Sequence, residues 1–537
     1  MQNSNEGILY SASDLVHFLE CQHLTTLDRV HLQKPLEKAV DSDEAKSIQN
    51  KGFDHERRYL EKLKSQHATF VDIADAGKGR DQKVEATLDA MRQGIEIIYQ
   101  ATFFSFPFLG HADFLRKVPK PSALGDYSYE VIDTKLAKTT HGKFIVQLAF
   151  YSDLLGKAQG TLPDRMMVVL GDGREDIYRL ADYTYYYQGL KDRFLEFMAK
   201  PMNVPSEPVL LNSSLTTKPF PCVKCELCHW RERCEQQLDE EDHLSRVANI
   251  LKTHIRKLEA QGIETLQQLA ELPDNSQIRK IPGPVLRRLR HQARLQNQKK
   301  IDGELHVELI TPDPDIPKEI GDRGFARMPL PDEGDLFFDM EGYPHVENGL
   351  EYLFGLYYFK QGEPVFLPFW AHTRKEEKQA FEEWIDFVID HLDNYPDAHI
   401  YHYAAYEKTA ITKLMRLHGT REAQVDRLLK EKKLIDLYQV VREAIRVSEP
   451  SYSIKYIEKF YLDKRQGDVT NAGSSILFYE KWLESNDDSI LQSIADYNED
   501  DVRSTYELQQ WLCRLRPQTM PWLGEGLPED DEREETG

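Results

Sequence analysis

Runs of β-branched and aromatic residues broken by turn formers dominate the first half of this chain. IEIIYQATFF (95–104), FLGHADFL (108–115) and YEVIDTK (129–135) predict three consecutive strands. A helix is expected over 143–156, a strand at RMMVVLGDG (165–173) and another helix over 184–199. Upstream, Ser13 and Asp14 read as the start of a helix carrying Cys21, and a charged helix follows around 42–66. From 241 to 310 Leu, Ile and Arg recur at three- and four-residue spacing, which predicts helices. Pro312, Pro314, Pro317, Pro329 and Pro331 then mark an extended linker. Strands restart at DLFFDME (335–341), YLFGLYYF (352–359) and PVFLPFW (364–370), followed by a helix (374–393), the strand HIYHY (399–403) and further helices.

This order predicts an α/β chain in several parts: an α/β domain over 1–240, a helical connector over 241–310, a linker over 311–334, a second α/β domain over 335–516 and an acidic tail over 517–537. With 537 residues, about three domains of ~150 residues each are expected. At 40% hydrophobic and 29% charged the chain has ample core. It contains no apolar run of membrane-spanning length, and its first residues lack a basic and then apolar leader pattern, so no membrane partner and a cytoplasmic location are expected. The net charge of −22 argues against a uniformly basic nucleic-acid-binding surface but not against local basic strips. A GxxxxGK[ST] loop is absent, so no ATP-driven motor is encoded within these residues.

Five of the six cysteines form one pattern: Cys21, then Cys222, Cys225, Cys228 and Cys234 about two hundred residues later. Thiolates at this spacing suit a metal or an iron–sulfur cluster better than a disulfide ladder. One alternative is a zinc knuckle of Cys222, Cys225, Cys228 and Cys234, which leaves Cys21 idle. Between them lie GHAD (110–113) and DTK (133–135), with Gln147 and Tyr151 four apart on a helix. Asp133 and Lys135 face the same side of a strand. Phosphodiester hydrolysis needs carboxylates to hold a divalent cation and a positive group at the reacting phosphate. His55, in GFDHE, is a further candidate metal ligand.

In that order, His55, Asp113, Asp133, Lys135, Gln147 and Tyr151 resemble the RecB-like branch of the PD-(D/E)XK nucleases. The resemblance implies a restriction-endonuclease-like core, with His55, Asp113 and Asp133 holding metal. It also implies a 4Fe–4S cluster on one upstream and three downstream cysteines, here Cys21, Cys225, Cys228 and Cys234, with Cys222 as an alternative ligand. IRKIPGPVLRRLRHQA (278–293) resembles a helix–hairpin–helix, with Arg287, Arg288, Arg290 and Arg294 set to meet phosphates; a basic connector helix is the other reading.

FFDMEGYP (337–344) puts Asp339 and Glu341 on one strand face, Glu407 follows a strand, and Tyr497 and Asp501 lie four apart on a helix. Asp436 is read as a helix-start carboxylate or a substrate-positioning residue, and Asp500 as surface charge. The set resembles a DEDD exonuclease and the YprB-like RNase H-like domains, with Glu407 where the family carries Asp. This implies Mg2+ or Mn2+ on Asp339, Glu341 and Asp501, and removal of nucleotides from a 3′ end. Joined, the two modules imply a DNA nuclease acting preferentially on single strands in repair, recombination or defence, with a separate helicase as a candidate partner. RNA processing and a binding scaffold with decayed sites are the alternatives.

Overall fold

The computed structural model describes residues 1–40, 43–77, 79–202, 215–310, 323–346, 348–462 and 472–525. Residues 311–322 of the expected linker (311–334) and 526–537 of the expected acidic tail lie outside them. The chain divides into two compact units, Met1–Leu238 and Asp239–Gly537. Among the described residues no helix is long and apolar enough to cross a membrane.

The first unit is built on a six-stranded mixed sheet. Its strands, in spatial order, are Phe70–Asp72, Ile97–Ser105, Phe108–Val118, Ser128–Thr134, Arg165–Val169 and Glu175–Arg179. Alternation of side chains sends Ile98, Leu115, Val131, Met166 and Val168 to one face, beneath helices Ala12–Glu20, Gly142–Gln159 and Ala181–Ala199. Ile97, Phe114, Ile132, Met167 and Val169 go to the other face, against Tyr59, Leu60 and Leu63 of helix Asp43–Gln66. Covered on both sides, Ser128–Thr134 is buried at every position. The expected strand over 165–173 stops at Val169, because Gly171 and Gly173 turn the chain into the hairpin strand Glu175–Arg179. Ser11, rather than Ser13, caps the first helix: its hydroxyl accepts from the Asp14 N–H, and the Asp14 carboxylate accepts from the Ser11 N–H.

The second unit carries a five-stranded sheet in the order Glu363–Trp370, Leu350–Lys360, Leu336–Tyr343, Ile400–His402, Leu434–Asp436. The first three strands are antiparallel and the last two join parallel to Leu336–Tyr343. Helix Arg374–Asn394 covers one face through Phe381, Trp384, Ile385 and Val388. Helices Leu437–Ala444 and Asp488–Leu515 cover the other through Val440, Val441, Val502, Leu508 and Leu512. Helices Lys252–Glu259, Leu266–Glu271 and Gly283–Asp302 belong to this unit: Gln292, in the last of them, donates to the Val447 carbonyl at 2.9 Å and accepts from the Tyr452 hydroxyl at 2.9 Å. Residues 323–334 are not simply extended. Gly324–Arg327 coils into a single turn that buries Phe325 and Met328 and is anchored by Arg327 on Glu443 at 2.7 Å.

Candidate functional site

In the second unit, Asp339 and Glu341 sit on the central strand Leu336–Tyr343, and Asp501 on helix Asp488–Leu515 crosses the sheet beside them. Carboxylate oxygens of these three residues all lie within 4.8 Å of one another. Just after Glu341 the pairing with Leu350–Lys360 shifts register, a bulge that ends the regular ladder at the site. Burial and then the charges of Asp501, Glu341 and Glu407 push the Asp339 carboxyl well above its ordinary range. Glu341 is pushed up to about 8 by burial and Asp501, against hydrogen bonds from Ser475 and Asn498. Three acids this close, with Glu341 buried and Asp339 and Asp501 half-buried, are a set of hard oxygen donors, so the residues fit a divalent metal.

Glu407 is buried in the first turn of helix Tyr406–His418, and its Oε2 lies 3.2 Å from His402 Nδ1. Its charge acts on Asp339, so it faces the same site. Tyr497 is buried one turn before Asp501; burial and the charges of Asp501, Glu341 and Asp339 push its phenol up. Asp436 is a helix cap, accepting from the N–H groups of Tyr438 and Ala404 at 3.0 Å each. Asp500 pairs with Arg503 at 2.8 Å. Sequence reading missed Asn498, which is fully buried and donates to Asp339 Oδ2 at 2.8 Å. It also missed His402.

In the first unit Asp113 lies in the middle of strand Phe108–Val118. Gln100, with a left-handed φ of 55°, interrupts the pairing between Tyr99↔Phe114 and Ala101↔Ala112. On the other side the ladder to Ser128–Thr134 ends at Phe114↔Ile132, so Asp113 and Asp133 come next to each other where the strands part. Asp113 Oδ2 accepts from the Thr134 N–H at 2.9 Å and hydroxyl at 3.1 Å. Lys135 Nζ pairs with Asp133 at 2.5 Å. Burial and Asp133 push the Asp113 carboxyl well up, with Lys135 pulling the other way. Burial opposes the Lys135 ammonium, but Asp133, Asp113 and Glu56 more than offset it.

Tyr151, on helix Gly142–Gln159, is close enough to feel Asp133 and Asp113. Gly110 makes that packing possible: a Cβ there would fall 2.8 Å from Leu154 and 3.2 Å from Tyr151. Gln147 is half-buried on the same helix. His55 is buried with Nε2 3.3 Å from the Val169 carbonyl oxygen. Its neighbour Glu56, which sequence reading passed over, turns its charge on Asp113 and Lys135 and accepts from Gln100 at 2.6 Å.

The cysteines gather elsewhere in the first unit. Cys21, at the corner between helices Ala12–Glu20 and Gln22–Gln33, packs with Cys228 and Cys234 against Leu24, Leu27 and Trp230. Burial and the neighbouring Cys222 and Cys228 push the Cys21 thiol up. Cys234 is pushed up to about 12 by burial, Cys228, Cys21 and Cys225. The Sγ atoms of Cys222 and Cys225 are 3.8 Å apart, and none of the five is in a disulfide. Asp28, between His229 Nε2 at 3.0 Å and Trp230 Nε1 at 2.9 Å, ties the cysteine run to helix Gln22–Gln33. Cys21 thus lies in one cluster with the downstream cysteines rather than apart from them.

No curated protein matches this chain. Residues 336–513 match the RNase_H_2 family model of the RNase H superfamily, a span that holds the five-stranded sheet and the Asp339, Glu341 and Asp501 cluster. That part of the chain is an RNase H-like domain.

Proposed function

We propose that this chain is a divalent-metal-dependent nuclease whose second unit shortens single-stranded DNA from the 3′ end. The observation that carries the reading is the convergence of Asp339, Glu341 and Asp501 within 4.8 Å inside an RNase H-like domain. Divalent metal bound there would activate water for attack and neutralise charge on the phosphate. Asp339, Glu341 and Asp501 hold it, Glu407 extends the negative field, and Tyr497 orients a water through its hydroxyl. The first unit is a second, RecB-like nuclease site: Asp113 and Asp133 hold metal and Lys135 stabilises the developing charge, with Gln147 and Tyr151 on the helix beside them. Cys21, Cys225, Cys228 and Cys234 hold a structural 4Fe–4S cluster, with Cys222 in reach. The proximity of Cys21 to Cys222 and Cys228 supports this set over a knuckle of the four downstream cysteines.

The test is purified full-length protein with Mg2+ or Mn2+ on 5′-labelled single strands of DNA and of RNA. A ladder of shortened DNA, slowed by a blocked 3′ terminus and lost in Asp339→Ala, is the expected outcome. Equal or faster shortening of RNA assigns the domain to RNA processing instead. A ladder that survives Asp339→Ala and vanishes in Asp133→Ala moves the exonuclease to the first unit.

A further inference from the structure

Asn498 lies between Tyr497 and Asp501 on helix Asp488–Leu515, and its side chain is fully buried against the central strand. Its Nδ2 donates to Asp339 Oδ2 at 2.8 Å, and the same amide favours the ionised form of the neighbouring Glu341. Its Oδ1 is buried with no hydrogen-bond partner among the described residues. The strand beneath makes room for it. Gly355 is the register partner of Asp339, and a Cβ there would fall 1.7 Å from Asn498 Oδ1. Any larger residue at 355 therefore displaces the amide.

We propose that Asn498 is a positioning residue that holds Asp339 and Glu341 in their metal-binding orientation, with Gly355 as the gap that admits it. The chemistry favours an amide. One –NH2 group carries two donors, so beyond the one engaged by Asp339 it offers a second towards Glu341, which a hydroxyl with one donor does not. Arginine or lysine also donates, but its charge neutralises the acids and competes with a divalent cation. The neutral amide fixes the carboxylates and leaves their full negative charge for the metal, the work that partners of metal ligands perform in general. Ser475 also favours the ionised Glu341, and its Oγ lies 2.6 Å from the Tyr352 hydroxyl.

This inference rests on the metal-site reading of Asp339, Glu341 and Asp501, and its test separates the two. Mn2+ binding to full-length protein is measured by electron paramagnetic resonance of the free ion, in an Asp133→Ala background that removes a first-unit carboxylate. Asn498→Ala and the bulk-retaining Asn498→Leu are each expected to weaken binding at the second site about 10–100-fold. Gly355→Ala weakens it likewise by pushing the amide aside, and Gly355→Ala/Asn498→Ala is no weaker than either single variant, because both remove one contact. The double variant also fills vacated space, so it reports even if Asn498→Ala does not fold. A purely structural role lowers the melting temperature in chelator and leaves Mn2+ affinity within about twofold of the parent; that result overturns the inference. Binding that also survives Asp339→Ala overturns the metal-site reading and the inference with it.

Discussion

Asp339, Glu341 and Asp501 repel one another in a setting with little water to screen them, so without metal each ionised form is costly. Asp339→Asn removes one charge from that crowd. It should raise the melting temperature in chelator while costing Mn2+ affinity more than the ~100-fold typical of losing an outer partner; calorimetry with and without metal reads both. The same repulsion has a pH signature. Glu341 moves from 4.5 to about 8 on folding, so between those values the folded chain holds a proton that the unfolded chain has released. Metal-free stability should therefore fall as pH rises through that window. Metal must displace the proton, so Mn2+ affinity should climb from pH 6 towards pH 8. A flat affinity profile would show that Glu341 is not a ligand.

Among the elements, helix Gly283–Asp302 sorts its own arginines. Four of them stand in a run that reads as a phosphate-binding face, but the helix turns them in different directions. Arg290 is buried, donating to the Pro273 carbonyl and to Asp274, and Arg294 donates to the Ala270 carbonyl at 2.9 Å and that of Leu272 at 3.0 Å. Both hold the end of helix Leu266–Glu271 and the turn after it, and the buried Arg290 is thereby withdrawn from any phosphate. Arg287 and Arg288 remain exposed. Arg290→Ala should cost about 1–3 kcal/mol by removing a buried side chain together with its hydrogen bonds and leaving its space unfilled. Arg288→Ala should stay within about 0.5 kcal/mol, the usual range for exposed positions. Urea unfolding of the full chain compares the two, and equal losses would contradict this division.

At the scale of the whole molecule, two compact units each carry a carboxylate site, so the two should fail separately. Asp133→Ala should leave the 3′ ladder intact, and Asp339→Ala should leave intact any cleavage that depends on Asp133. End-labelled and internally labelled substrates distinguish the products. The cysteine centre is a third, structural test. Protein purified without oxygen should be brown with broad absorbance near ~400 nm, the colour of thiolate-bound iron–sulfur centres. Cys225→Ser or Cys228→Ser should bleach it and lower the melting temperature of the first unit. Colourless protein with stoichiometric zinc would overturn the cluster.

Local spacing was enough to place much of this by sequence alone. Side chains two apart on a strand or four apart on a helix must share a face, which is why Asp339 with Glu341, Asp133 with Lys135, and Tyr497 with Asp501 were legible as pairs. The strands at 97–105, 108–118, 128–134 and 336–343 announced themselves through β-branched and aromatic runs. Contacts between distant segments carry no such local mark. Asn498 meeting Asp339 across the gap at Gly355, Glu56 facing Asp113 and Lys135, and Arg290 turning inward all depend on which elements pack together. The sequence determined which chemistry each segment carries. Packing decided which of those groups meet, because burial and mutual charge act only between residues that the fold has brought within a few ångströms.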